Sequence, residues 1–251
     1  MTGLPNLSIK LIFLFLQDIS GNMGNDHTYD KALYEFLSGY ITQHKLAKFQ
    51  EIINMRTRFF TVVLEDIYQP HNASAVLRSC DCFGILDVHV IENRNTFQVS
   101  KDVALGAQKW LNVLHYRKQE NNTESCLLKL RDEGYRIIAT TPHTSDISLD
   151  DFPAKEKTAF VFGTELEGLS ETALNLASGY VRIPMSGFTE SLNISVSVAI
   201  LLYEMTRKLH KSSLNWQLSD DEKADTLLSW ARHVVKRADL LEENFRKSYF
   251  Y

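Results

Sequence analysis

Cysteine is scarce in this chain: Cys80, Cys82 and Cys126 are the only three among 251 residues. A small, odd number argues against a disulfide framework and for reduced, buried thiols in a cytoplasmic protein. Cys80-x-Cys82 has no second ligand pair at zinc-finger spacing, and His71, His89, His115 and His143 are scattered without a metal-like pair. No metal is therefore expected. Positive charge is not in excess either. A formal net charge of −4 argues against a globally basic nucleic-acid binder, while local patches stay open because binding follows the charge of one face. Long apolar runs are missing as well. The run Leu11–Leu16 after Lys10 is shorter than a signal-peptide core, meets Gln17-Asp18 at once, and is far too short to span a bilayer. Internal repeats and low-complexity segments are also lacking.

What is present is an ordinary folding composition, 44% hydrophobic and 23% charged, on a chain long enough to bury a full core. Residues 1–22 read as a disordered tail or an upstream start and are set aside. Between residues 29 and 57 apolar residues recur at helical spacing (Leu33, Phe36, Leu37, Tyr40, then Leu46, Phe49, Ile52, Ile53), predicting two short helices. Lys45, Lys48, Arg56 and Arg58 fall on or near their exposed side, either as a solvated face or as an RNA contact. From Phe59 strands and helices alternate. Strands are expected at 59–64, 88–91, 135–140, 158–162 and 180–183, and helices at 72–83, 105–111, 124–133, from about 170, and at 192–209. Gly84 and Gly134 are natural helix stops. That alternation predicts an α/β fold with a mostly parallel sheet and helices on both faces. Residues 219–247 read as a separate helical tail. Ser219 with Glu222 forms a capping box there, and the apolar stripe Leu227–Phe245 is expected to pack on the domain or on the N-terminal helices.

Ligands of open α/β sheets bind beyond the carboxyl ends of the strands, and three loops fall there. The first, Glu65–Asn72, leads into the helix bearing Arg78. Asn72 could cap that helix or face a site, and Arg78, six positions on, is expected on roughly the same side. An arginine among Ala75, Val76, Cys80 and Phe83 reads as partly buried and in need of a carboxylate or phosphate. His71 is the one histidine beside this site.

The second loop, Gly163–Gly168, is neither G-x-G-x-x-G nor followed by a Walker lysine, so nucleotide-phosphate binding of those kinds is not expected. Its glycines suggest close backbone approach to a ligand. Glu165 within it is either an ordinary loop carboxylate or part of the site. In the third, Ile183-Pro184-Met185 ends a strand and Ser191-Leu192-Asn193 opens a helix, offering free backbone N–H groups to a small polar ligand. Ser191 could instead serve as the cap.

Asn72-x5-Arg78, Phe162-Gly163-Thr164-Glu165-x2-Gly168 and Ile183-Pro184-Met185…Ser191-Leu192-Asn193-Ile194-Ser195, in that order, resemble the three motifs of the TrmH-type RNA ribose 2′-O-methyltransferases of the SPOUT superfamily. The resemblance covers residues 59–210. It implies a deep trefoil knot at the C-terminal end of the domain, contrary to the usual rarity of knots. It also implies S-adenosylmethionine bound mainly by backbone groups at Thr140, Gly163, Ile183 and Leu192. The implied organisation is an RNA-binding N-terminal helical extension (23–58), a SPOUT domain (59–211) and a C-terminal helical extension (212–251). A homodimer would act on tRNA, with a guanosine of the D-loop as target and ribosomal RNA as the alternative. Catalysis would fall to Arg78, Asn72, Glu165, Ser191 and Asn193, without metal or membrane. Family proposals make Arg78 a general base. Arginine hardly ever deprotonates, so a phosphate clamp and alkoxide stabiliser is the better chemistry for it. Rival readings are a catalytically inactive RNA-binding protein of the same fold and a nicotinamide-dependent α/β enzyme. Thr164 and Leu166 depart from the family pattern, and residues 1–22 have no counterpart in it.

Overall fold

The computed structural model describes residues 26–142, 146–164 and 166–250; the expected tail at 1–22 and Glu165 lie outside them. In chain order the elements are α1 (Asp26–Ser38), α2 (Gln43–Ile53), β1 (Phe60–Glu65), α3 (Pro70–Cys82), β2 (Asp87–Ile91), α4 (Lys101–Ala104), β3 (Asn112–Tyr116), α5 (Asn122–Asp132), β4 (Arg136–Thr140), β5 (Ile147–Ser148), β6 (Thr158–Phe162), α6 (Glu171–Leu176), β7 (Gly179–Arg182), α7 (Ile194–His210), α8 (Asp220–Val234) and α9 (Ala238–Phe250). They fall into two units, residues 54–218 and residues 26–53 with 219–250.

In the first unit the strands join one seven-stranded sheet in the order β3-β2-β1-β6-β4-β7-β5, with every pairing parallel. The aromatic, β-branched run Phe60–Glu65 is buried throughout, as suits a central strand covered on both faces. Side chains alternate across the sheet. Phe60, Val62 and Leu64 join Phe160, Phe162 and Ile138 beneath α3 and α7, against Val76, Leu77, Val198 and Leu202. On the opposite face Val63, Ile137, Ala159 and Val161 meet Cys126, Leu127 and Leu130 of α5 and Ala173 beyond them. Truncating a central residue such as Phe160 to alanine would cost about 3–5 kcal/mol. Helices thus cover both faces, as the alternating pattern predicts.

Several local expectations need correction. The stretch 105–111 is not one helix: Leu105 and Gly106 take φ of 48° and 85°, ending α4, and a short 3-10 turn follows at Ala107–Trp110. Two strands had no clear sequence signal. β3 is a half-buried edge strand of mixed polarity, and β5 is two residues long. Arg56 is 2% exposed rather than solvated. Its guanidinium bonds the Asp81 carboxylate and the Asp81 carbonyl oxygen at 3.0 Å. Arg58 is also engaged, donating from Nε to Asp87 at 2.8 Å. Gly84, at φ 76°, sits where a Cβ would come within 2.4 Å of the Met55 carbonyl oxygen, so this helix stop accepts no side chain. Burial pushes the Cys126 thiol up to about 12 and raises Cys80 further. Both stay protonated, small hydrophobic fillers.

In the second unit Leu33 and Leu37 of α1 share a core with Leu228 and Ala231 of α8 and Phe245 of α9. Of the two expected partners of the C-terminal stripe, the N-terminal helices are therefore one the structure supplies. The Ser219–Glu222 capping box is formed. The tail is two helices, broken where Arg237 adopts φ 57°. Arg232 and Lys247 are paired with Glu242 and Glu243. Among the described residues no helix is long and apolar enough to cross a membrane.

Candidate active site at the strand ends

Because all pairings are parallel, the loops after β1, β6, β4 and β7 emerge side by side at one edge of the sheet. Buried acids fix this edge. Glu65, 3% exposed, ends β1, and its carboxylate accepts from Thr123 Oγ1 at 2.6 Å, Ser170 N at 2.9 Å and Ser170 Oγ at 2.7 Å. Asp66 follows at φ 54°, and its Oδ1 accepts the backbone N–H groups of Asn93 and Arg94, both at 2.8 Å. These hydrogen bonds, three to Glu65 and two to Asp66, offset the cost of burying the carboxyl groups. Both acids are structural anchors.

The loop after β6 closes on itself. Thr164 and Gly168 exchange backbone hydrogen bonds of 3.0 Å in both directions. A Cβ on Gly163 would stand 2.1 Å from the Gly168 carbonyl oxygen. The close approach that demands glycine here is backbone to backbone within the loop, where an approach to ligand was expected. Glu167 of the same loop pairs with Arg94 at 2.5 Å.

At the start of α7 the cap is Asn193, not Ser191. Asn193 Oδ1 accepts from Ser195 N at 2.9 Å and Ser195 Oγ at 2.6 Å, while Ser191 is exposed. Asn193 Nδ2 donates to Asn72 Oδ1 at 3.0 Å. Asn72 is not a cap either. Gln69 takes that place with Pro70 beginning the helix, and Asn72, 4% exposed, donates from Nδ2 to Gln69 Oε1 at 3.1 Å. This Gln69–Asn72–Asn193 chain joins the first and third loops, and sequence reasoning missed it because no local pattern links positions 121 residues apart.

A cavity of about 360 Å³ opens among these loops, walled by Thr140, Phe162, Gly163, Ile183, Leu192 and Leu201. The four residues expected to hold a cofactor, Thr140, Gly163, Ile183 and Leu192, all line it, as does Ser191. Arg78 does not line it, and it is exposed on α3 rather than partly buried. Six positions along a helix is about 120° away from eclipsed, which puts Arg78 on a different face from buried Asn72. Among the described residues its guanidinium makes neither a hydrogen bond nor an ion pair. His71 is exposed next to Asn72. Among the described residues no three His, Cys, Asp or Glu side chains gather as a metal site.

Comparison with known proteins places this geometry among RNA-modifying enzymes. The pattern of the SpoU rRNA Methylase family matches residues 60–203. The tRNA (guanosine(18)-2′-O)-methyltransferase of Borreliella burgdorferi is 42% identical over 82% of this chain and 93% of its own. The Thermus thermophilus enzyme of the same name is 32% identical over 69% and 87%. Among solved structures, the Aquifex aeolicus TrmH/SpoU tRNA modifying enzyme superposes with a TM-score of 0.69 at 27% identity, over 77% of this chain and 98% of that one. The SpoU methyltransferase AviRb from Streptomyces viridochromogenes, solved with the cofactor AdoMet, gives 0.55 at 25% identity over 64% and 65%.

Proposed function

Because this chain belongs to the SpoU rRNA methylase family, we propose that it transfers a methyl group from S-adenosylmethionine to a ribose 2′-hydroxyl in RNA, at a guanosine of the tRNA D-loop. The observation that carries this reading is the cavity walled by Thr140, Gly163, Ile183 and Leu192 beside the Asn72–Asn193 link. Its volume falls in the usual range of small-molecule sites, and it mixes apolar Phe162, Ile183 and Leu201 with polar Thr140, Ser191 and Glu167. Such a lining fits a cofactor with one flat heteroaromatic end and one charged end. When bound, the cofactor supplies an electrophilic methyl group on a sulfonium.

The chain's own residues then have distinct work. Arg78 offers five donors and a permanent charge with no competing partner among the described residues. It holds a substrate phosphate and stabilises negative charge growing on the ribose 2′-oxygen. A guanidinium hardly ever gives up its own proton and so cannot serve as a base, and the hydroxyl proton leaves to phosphate or water. Asn72 and Asn193 orient the loops around the reacting sugar, and Ser191 offers a hydroxyl at the cavity wall. Glu165 belongs to this group on its motif alone. The near-attack separation of about 3–3.5 Å is set by these loops together.

Substrate choice follows the relatives. The family description names rRNA, whereas the 42% identical relative, matched over nearly its whole length, is a tRNA enzyme. That supports tRNA, modified in the cytoplasm, over ribosomal RNA. We place the family's trefoil knot between β6 and α7, a reading supported by the likeness to TrmH/SpoU structures and by a sheet order in which β4 separates β6 from β7. A homodimer is supported by the exposed apolar stripe of Val196, Ile200 and Tyr203 along α7 with Leu192 just before it, which a second copy would cover. The helical unit offers Lys236 and Arg237, both exposed at the turn between α8 and α9, as a contact for tRNA phosphates.

The test is methylation of unmodified tRNA and ribosomal RNA transcripts by the purified protein with labelled S-adenosylmethionine. The expected product is a single 2′-O-methylguanosine in the D-loop. No incorporation into either RNA would reject the reading.

A further inference from the structure

We propose that Tyr68 is the stacking platform for a nucleobase of the substrate RNA, at or next to the methylated nucleotide; this rests on the RNA methyltransferase reading above. Tyr68 is 72% exposed, and among the described residues it makes no hydrogen bond, ring contact or ion pair. Yet its backbone is tightly held. Ile67 before it is buried in the main core, and Asp66 is locked by the N–H groups of Asn93 and Arg94. Gln69 after it accepts from Asn72 Nδ2 at 3.1 Å and from Ala73 N at 3.0 Å. One aromatic ring is thus presented to solvent between fixed neighbours.

Its position also points to substrate. The loop carrying Tyr68 is tied at one end to the start of α6 through Glu65 and Ser170, and at the other to the start of α7 through Asn72 and Asn193. Both of those elements follow loops that wall the cavity. Single-stranded RNA is read by splaying bases onto aromatic faces, and a pre-set ring avoids the ordering cost that a floppy one incurs. Phe188, which is fully exposed, lacks this. Among the described residues no hydrogen bond holds the loop 184–192 around it. Tyr68 also lies off the α7 stripe assigned to the second copy.

The experiment compares the full-length wild type with Tyr68→Ala, Tyr68→Phe and Tyr68→Trp on an unmodified tRNA transcript. For Tyr68→Ala we expect kcat/KM for tRNA to fall about 10- to 100-fold, while cofactor affinity by calorimetry and molecular mass by light scattering stay at wild-type values. The Phe and Trp variants, which keep the ring, should retain activity within a few-fold. With 2-aminopurine at the target position, wild type should quench its fluorescence and the alanine variant should not. Wild-type kcat/KM in Tyr68→Ala would overturn the inference. So would loss of cofactor affinity or of the oligomer, which would make Tyr68 a structural residue instead. An inactive wild type would sink the methyltransferase reading itself, a separate outcome.

Discussion

Asn193 reaches across the site to Asn72, Nδ2 to Oδ1 at 3.0 Å, while its other side-chain atom caps α7 by accepting from Ser195. One amide therefore joins two loops and starts a helix. Asn193→Ala should lose the cap, about 1 kcal/mol, and strip buried Asn72 of a donor, about 1–3 kcal/mol more. Asn193→Asp keeps the cap acceptor but sets a carboxylate against the Asn72 oxygen. Thermal unfolding should show both destabilised, and methyl transfer should fall in both. An alanine variant melting with wild type would refute the bridge.

Arg78 predicts the opposite pattern. It is exposed, with no partner among the described residues, so Arg78→Ala should leave stability within about 0.5 kcal/mol. Turnover should drop about 10²- to 10³-fold, the usual cost of losing one charge-stabilising donor. Arg78→Lys keeps charge but not the planar fork and should recover only part of the rate. Near wild-type turnover in Arg78→Ala would end its catalytic assignment.

Gly163→Ala tests the proposed cofactor cavity. The added methyl would meet the Gly168 carbonyl oxygen at 2.1 Å, forcing open a loop that lines the cavity. Calorimetry should find S-adenosylmethionine binding abolished while circular dichroism shows the sheet intact. Unchanged affinity would move the cofactor elsewhere.

His89 predicts a pH dependence. It is 3% exposed, bonded to Tyr116 Oη at 3.0 Å, and burial pushes it down from 6.5 to about 4. The unfolded chain binds that proton more readily, so this contribution to stability is whole above pH 6.5 and is lost as pH falls toward 4. The fall from 6.5 to about 4 corresponds to about 3 kcal/mol. Denaturant midpoints measured from pH 7 to 4 should decline more steeply in wild type than in His89→Gln. Parallel curves would contradict it.

Periodicity and turn residues made most of the fold legible. β6 at Thr158–Phe162, the glycine stops at Gly84 and Gly134, and the Ser219 capping box are local matters of pattern and backbone freedom, so they can be read along the chain. β3 and β5 escaped because an edge strand and a two-residue strand carry little pattern of their own; their neighbours in the sheet make them strands. The site divides the same way. Its motif positions were visible as types at spacings, and Thr140, Gly163, Ile183 and Leu192, which only the family resemblance singled out, do share one cavity.

Residue identity and order along the chain were enough to mark the candidate positions. Only the folded chain decided what each one does there. Asn193 caps where Ser191 was a candidate, Asn72 is buried and Arg78 exposed on one helix, and Arg56 is buried against Asp81. Those outcomes depend on which distant element packs alongside, and burial and partnership across 121 residues are properties of the assembled core that no local window contains.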